Sequence, residues 1–303
     1  MTPSRDSQHL VPRIGLRGLM AGVAALAASG LIAVNPVMPA LPVSAMPSVQ
    51  LTASLDLIGP WVDVFNTASA NATEIFDAIK DADFGLPGSL QEAFAAATFV
   101  GVDIATPEGS ALAAQTLDWS HLWGLQYLAG MDMGMGVVPV EAAEPAATIL
   151  TLLSSPLSGV LMGLIGPLLS PGVELINSVG SIVDSIGDSD FEAALQGLLA
   201  VPANVVGAFF NGATLNLDAL VPWLNDALQV PEGNAVLGAS FDFGGLLSPG
   251  VTDSGSIGGS IYNSLGLDLQ MVGMGMPYSA PGEGVGLIAS LVNLVEMFAG
   301  GMS

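Results

Sequence analysis

Apolar residues recur at three- and four-residue steps through 51–80. Leu55, Ile58, Val62, Phe65, Ile75, Phe76 and Ile79 are separated by Asp56, Asp63, Glu74 and Asp77. That period matches one face of an α-helix, so the spacing predicts a helix over 51–80. Pro87-Gly88 interrupts the pattern, and Ser89 followed by Glu92 has the form of a capping box opening a helix at Leu90–Ala97. Ser189 and Glu192 repeat the form before Phe191–Ala200. A last apolar period, Leu287 to Phe298, predicts a closing helix.

The centre is more apolar still. No charge lies between Glu144 and Glu174, and none between Glu192 and Asp218. Either run is long enough to cross a bilayer by residue count. Both are punctuated, the first by Pro156, Gly163, Pro167 and Pro171, the second by Pro202, Gly207 and Gly212. Proline inside a helix removes a hydrogen bond and costs about 3 kcal/mol. The expectation is therefore a set of short helices in a packed or lipid-touching hairpin rather than regular spans.

The last third alternates instead. Leu215, Leu217 and Ala219, then Leu265, Leu267, Leu269 and Met271, occupy every second position, as does Phe241-Asp242-Phe243. Period two predicts short strands, with turns at Ser248-Pro249-Gly250 and Gly255–Gly259. The fold class expected is mainly α, with short Pro- and Gly-broken helices and a small strand-bearing C-terminal portion; α+β is the alternative. Within 46–303, an apolar helical region covers about 51–212 and a mixed Gly-rich region about 213–303.

The N-terminus reads as a leader. Arg5, Arg13 and Arg17 precede an uncharged run from Gly18 to Leu55 that is most apolar over Leu19–Val34. A positive segment, an apolar segment and small residues at Val43-Ser44-Ala45 fit a cleaved signal peptide covering 1–45, and Ala40 offers a second cleavage point. An uncleaved anchor is the other reading, though sixteen apolar residues before Pro36 are short for a span of about 20. Export to the cell envelope or beyond follows from either.

Composition narrows what the exported chain does. Over 303 residues the net charge is −23, half the residues are apolar and 10% are charged, against about 25% in an ordinary soluble domain. Removing 1–45 takes Asp6 and three of the four basic residues, leaving 26 acidic residues against Lys80. Such a chain has no means of gripping nucleic acid phosphates, and it gains nothing from anionic head groups. Contact with lipid must then come from apolar burial. There is no cysteine, which removes disulfides, thiolate metal sites and thiol nucleophiles.

No catalytic, cofactor-binding or metal residues are expected. His9 and His121 are the only histidines, and no Gly-x-Ser-x-Gly elbow accompanies them. Trp119 and Trp123 flank His121 at a spacing that shares a helix face, which reads as an aromatic anchor. Met131, Met133 and Met135, and Met271, Met274 and Met276, could offer soft ligands to Cu(I), but methionine more often fills irregular gaps. Asp188, Asp190 and Glu192 suit a helix cap better than a calcium loop, which needs a glycine they lack. Gly284-Val285-Gly286-Leu287-Ile288-Ala289 matches a loose dinucleotide fingerprint, but Pro277–Pro281 before it does not read as a strand, so the context fails. Carboxylates are numerous enough for an acid-pair hydrolase to stand as a third reading.

Four strings carry a resemblance: Trp61–Thr67 (WVDVFNT), Val201–Asp218 (VPANVVGAFFNGATLNLD), Phe243–Gly250 (FGGLLSPG) and Ile257–Gly266 (IGGSIYNSLG). Together they resemble the GjpA-type porin-like proteins of mycolic-acid bacteria, over roughly residues 50–298. The resemblance implies an exported protein of the mycolate outer membrane, described in the family as a porin, and brings no catalytic residues with it. A single-chain barrel needs at least eight strands of about 9–11 residues, and the pattern offers about five, mostly shorter. A pore would have to be a homo-oligomer or helical, and its acidic lining would favour cations. The alternative is a secreted surface or structural protein that contacts lipid without forming a channel.

Overall fold

A computed structural model describes residues 55–82, 89–128, 146–228, 233–270 and 277–300, all within one compact unit, Gln50–Ser303. The segment read as a leader, Pro87-Gly88 and both methionine clusters lie outside the described residues. Among the described residues the chain is mainly α: nine α-helices precede, interrupt and close around a small antiparallel sheet near the C-terminus.

Helix α1 (Gly59–Asp81) begins eight residues later than the hydrophobic period suggested. The Asp56 carboxylate takes the amides of Ile58 and Gly59 at 3.0 and 2.7 Å, fixing a turn that the helix follows, with Pro60 in its first turn. Such competition by an aspartate side chain for nearby amides ends or delays a helix. Helix α2 (Leu90–Thr98) starts where its cap predicts, the Ser89 hydroxyl accepting the Glu92 amide at 3.2 Å. Short helices α3 (Pro107–Ala113), α4 (Trp119–Leu128) and α5 (Ala146–Leu153) follow.

The central apolar runs form two long helices, not several short ones. Helix α6 (Pro156–Gly187) has 32 residues and continues through Pro167 and Pro171; helix α7 (Phe191–Asn211) has 21 and continues through Pro202. The penalty for an internal proline, a missing bond to the carbonyl four residues back and a crowded ring, is offset by tertiary packing. Gly163 and Gly166 are buried around Pro167, and the Ser170 hydroxyl donates to Gly166 O at 2.8 Å with Phe243 O 3.1 Å away. Asp188–Asp190 joins the two helices into a hairpin. Its cap is Asp190, whose carboxylate accepts the Ala193 amide at 3.0 Å, one residue beyond the serine expected to do so. Ser189 instead takes a left-handed conformation in the turn (φ 63°).

Helix α7 is flanked by α6 on one side and α1 on the other. Toward α6, Asn204 donates to the Ser178 hydroxyl at 3.2 Å and Gly197 sits under Ile182. Toward α1, Gln196 makes two bonds to the Asp56 backbone (2.6 and 3.0 Å), and Gly207 lies under Val64.

Strands β1 (Ala213–Asn216), β2 (Ala235–Phe243), β3 (Leu265–Gln270) and β4 (Tyr278–Ala280) form an antiparallel sheet in sequence order. Leu215 pairs with Phe241, Ser240 with Gly266 and Leu269 with Tyr278, with a bulge in β2 between Val236 and Gly238. Period two located β3 and the last three residues of β2; the alternation expected over Leu215–Leu220 meets β1 only at Leu215 and Asn216, because Asp218–Leu220 turns as a 3-10 helix. Period two missed β4, where Pro277–Pro281 does contain a three-residue strand. Helix α8 (Val221–Leu228) docks on β2 through Asn225, whose amide accepts from Val236 N at 2.8 Å and donates to Val236 O at 2.9 Å. Helix α9 (Leu287–Gly300) closes the fold, two residues longer than its apolar period.

Two apolar clusters make the core. One gathers Phe99, Ile104, Leu117, Leu122 and Leu125 with Met297 of α9; the other gathers Ile75 of α1 and Ile257 with Ala289 and Val292 of α9. Helix α6 reaches the body on glycines: a Cβ at Gly159, Gly163 or Gly166 would fall within 2.0–2.6 Å of the backbone of Gly259, Leu287 or Gly244.

Candidate functional site

Away from its turn, the α6–α7 hairpin buries one side and leaves the other without a partner among the described residues. On α6 the exposed residues Leu161, Leu164, Ile165, Leu168, Leu169, Leu175, Ile176, Val179, Val183 and Ile186 follow steps of three and four. At 100° per residue they fall on one stripe, and Glu174 and Asp184 fall off it. From Leu161 to Ile186 the stripe runs about 38 Å at 1.5 Å per residue, longer than the roughly 30 Å hydrocarbon core of a bilayer. Leu168, seven residues into it, is 75% exposed. On α7, Phe191, Leu198, Leu199, Val206 and Phe209 form a second exposed set, opposite the face that meets α1 and α6.

Both helices are long and apolar enough to cross a membrane by length and composition, each with mean hydropathy 1.6 over its best window. Solvated helices normally carry charge on such a face. These carry it at the hairpin turn: Asp184, Asp188, Asp190 and Glu192 are all exposed there. Completing the burial of ten half-exposed side chains on α6 is worth on the order of 10 kcal/mol, comparable with the cost of association itself. The arrangement suits attachment as one broad face, not through a single anchoring residue.

A second locus is polar and buried. Asp118 caps α4, accepting from the Ser120 amide (2.7 Å), the Ser120 hydroxyl (2.5 Å) and the His121 amide (3.1 Å) on one oxygen. Its other oxygen faces His121 Nδ1. His121 Nε2 lies 2.7 Å from Leu265 O at the start of β3, so both ring nitrogens meet acceptors. That requires two protons across the Asp118–His121 pair, as in an imidazolium–carboxylate pair. Burial works to raise the Asp118 carboxyl, but the hydrogen bonds and charge of His121, with Ser120, hold it below the usual aspartate range. Tyr262 stands edge-on to the imidazole (5.5 Å between centroids), and burial, helped by the Asp118 charge, pushes its phenol up to about 12. Tyr278 donates its hydroxyl to Ser120 O.

This is a clamp joining α4 to the sheet. A Ser-His-Asp triad needs the far imidazole nitrogen on a nucleophile, and here it is taken by a backbone carbonyl. The sequence reading of His121 as part of an aromatic anchor is replaced by this clamp, since His121 is only 3% exposed and bonded at both nitrogens. The tryptophans beside it separate: Trp119 is 63% exposed and Trp123 4%. The signal available in the sequence was Asp118 at a helix start with His121 three residues on, a spacing at which side chains meet.

The other candidate motifs resolve into structure. Asp190 caps α7, as above. Gly284 packs on Gly244, and Gly286 on Ser248 O and Gly245 O, so the stretch matching the dinucleotide fingerprint is filled by the chain's own backbone despite having a strand before it and a helix after it. Among the described residues no three His, Asp or Glu side chains gather as a metal site would require. No family model, curated protein or solved structure matches the chain.

Proposed function

We propose that this is an exported, non-catalytic cell-envelope protein that rests against outer-membrane lipid through the α6–α7 hairpin. The observation carrying this reading is the charge-free apolar stripe from Leu161 to Ile186, left exposed by a helix whose other side is buried over Pro156–Val173 and at Ser178. The acidic balance directs the attachment to the apolar phase of the lipid rather than to anionic head groups. The N-terminal pattern and the resemblance to the porin-like proteins of mycolic-acid bacteria support the same placement.

The finer reading is a cation-preferring channel built from several copies. The described sheet is open and its strands run three to nine residues, so a pore assembled from this chain would be lined by helices or by neighbouring subunits. Secretion to the surface without a channel is the alternative, and stepwise conductance in a planar bilayer separates the two.

The test of lipid attachment is flotation of the purified chain with vesicles of zwitterionic lipid in a density gradient. Migration with the vesicles, resistant to high salt, is expected. Protein left at the bottom of the gradient, with helical content intact, refutes the reading.

A further inference from the structure

How α6 is fastened to the body decides how the hairpin can meet lipid. By length and composition both of its helices are able to cross a bilayer. The first half of α6, however, is committed elsewhere. The Ser158 hydroxyl accepts the Ile261 amide at 3.1 Å, the Ser290 hydroxyl donates to Gly159 O at 3.0 Å, and Gly163 and Gly166 lie against the backbones of Leu287 and Gly244. Beyond Val173 only Ser178 of this helix is buried. The stretch left free, 174–187, is about 21 Å long at 1.5 Å per residue, too short for a hydrocarbon core of roughly 30 Å. On α7 the free stretch is shorter still, because Gln196, near the start of that helix, already bonds the Asp56 backbone just before α1.

We propose that the hairpin enters a single leaflet side-on, with α6 parallel to the membrane plane and the Asp188–Asp190 turn left in water on the side of entry. The inference rests on the lipid-attachment reading above and adds the partner's form: the acyl region of one leaflet, not a transbilayer environment.

The apolar stripe runs over both halves of α6. Leu161, Leu164 and Leu168 lie on the bound half, and Ile176, Val179 and Val183 on the free half. Both sets reach acyl chains together only when the helix lies along the surface; entry tip-first sinks the second set and strands the first in water. Charge is arranged to match. Asp184, Asp188, Asp190 and Glu192 are exposed at the turn, and tip-first entry would carry all four through hydrocarbon, where carboxylates are costly without a partner. Lys80, the only Lys or Arg among the described residues, already pairs with Asp77. At 100° per residue the exposed Asn177 and Ser181 project from the side of α6 away from the stripe, so side-on entry leaves them solvated. A helix lying in the interface sinks about 5–10 Å, within reach of the stripe's Leu, Ile and Val side chains.

The chain contains no cysteine, so single-cysteine variants report position without a background. Asp188→Cys marks the turn and Leu168→Cys the stripe. Each is bound to preformed, sealed vesicles of zwitterionic phosphatidylcholine, collected by flotation and treated from outside with a membrane-impermeant maleimide. Side-on entry labels Asp188→Cys as fast as in the free protein and slows Leu168→Cys about tenfold or more, as its depth in the leaflet requires. If Leu168→Cys lowers the helical content, Val183→Cys takes its place. Protection of Asp188→Cys until detergent opens the vesicles means that the hairpin crosses, and a stripe cysteine that stays fully reactive on floated vesicles means that another surface is attached; either result overturns the inference. Absence of flotation in the wild-type chain refutes the attachment reading itself, and this inference with it, before any label is added.

Discussion

Gly163, halfway along the body-facing part of α6, lies directly on the first residue of α9: a Cβ there would stand 2.6 Å from Leu287 Cα and 2.7 Å from its nitrogen. The backbone of α9 has little freedom to retreat, because Ala289 and Val292 are locked in the core. Gly163→Ala therefore costs about 1–3 kcal/mol through overpacking, in spite of alanine's better helix propensity. Gly172 and Gly180 on the same helix have open space around them. Alanine at either adds up to about 1 kcal/mol. Urea unfolding of the three variants gives the opposite signs directly.

The Asp118–His121 clamp makes a sharper demand. Asp118→Asn leaves the imidazole without its carboxylate partner in a buried site and weakens the α4 cap. Breaking one side of a buried pair costs about 3–5 kcal/mol. The expected result is a lower urea midpoint together with a change in near-ultraviolet dichroism, since Tyr262 lies on this imidazole and Tyr278 bonds to the same turn.

On the hairpin, Leu168→Asp with Val183→Asp places two charges at the two most exposed positions of the stripe. Surface changes of this kind stay within about 0.5 kcal/mol of wild type. Unfolding should be unaltered while flotation with zwitterionic vesicles is lost. Loss of flotation in a control pair placed off the stripe, Ser181→Asp with Ser185→Asp, would show that charge anywhere on α6 suffices and would remove the stripe's special role.

Stability against pH carries two opposed contributions. Burial raises the Asp242, Glu283 and Glu296 carboxyls, with neighbouring acidic charges assisting at Glu283. A carboxyl raised in the fold binds its proton more tightly folded than unfolded, so stability grows as pH falls from neutrality toward the unfolded value near 4. Asp118 is lowered, so its contribution is complete above that value and is lost as pH falls through its folded one. The easing of self-repulsion in a chain of net charge −23 reinforces the first trend. Thermal melting between pH 7 and pH 3 should rise to a mildly acidic maximum and then drop. Asp242→Asn should flatten the rise, and Asp118→Asn the drop.

Local signals served where the chemistry is local. The Ser89 cap placed α2, the apolar period over Leu287–Phe298 placed α9, and alternation placed β3. Where a local rule met a tertiary one, the tertiary contact won. Pro167, Pro171 and Pro202 mark breaks by themselves, yet the glycines and serines that pin α6 to Leu287 and Gly244 carry the helix across the first two. The Leu265 carbonyl that completes the His121 clamp lies 144 residues away, a distance no periodicity reports.

The sequence alone determined the apolar, acidic and nearly cation-free character of this chain, its helical majority and its late short strands, because composition and period act within a few residues of each position. Only the tertiary structure decided which apolar faces became core and which stayed bare. Leu161 and Met162 are neighbours and both apolar, yet the first is exposed and the second buried. Which of them meets the body depends on how close the glycines at 159, 163 and 166 let the partner backbones approach.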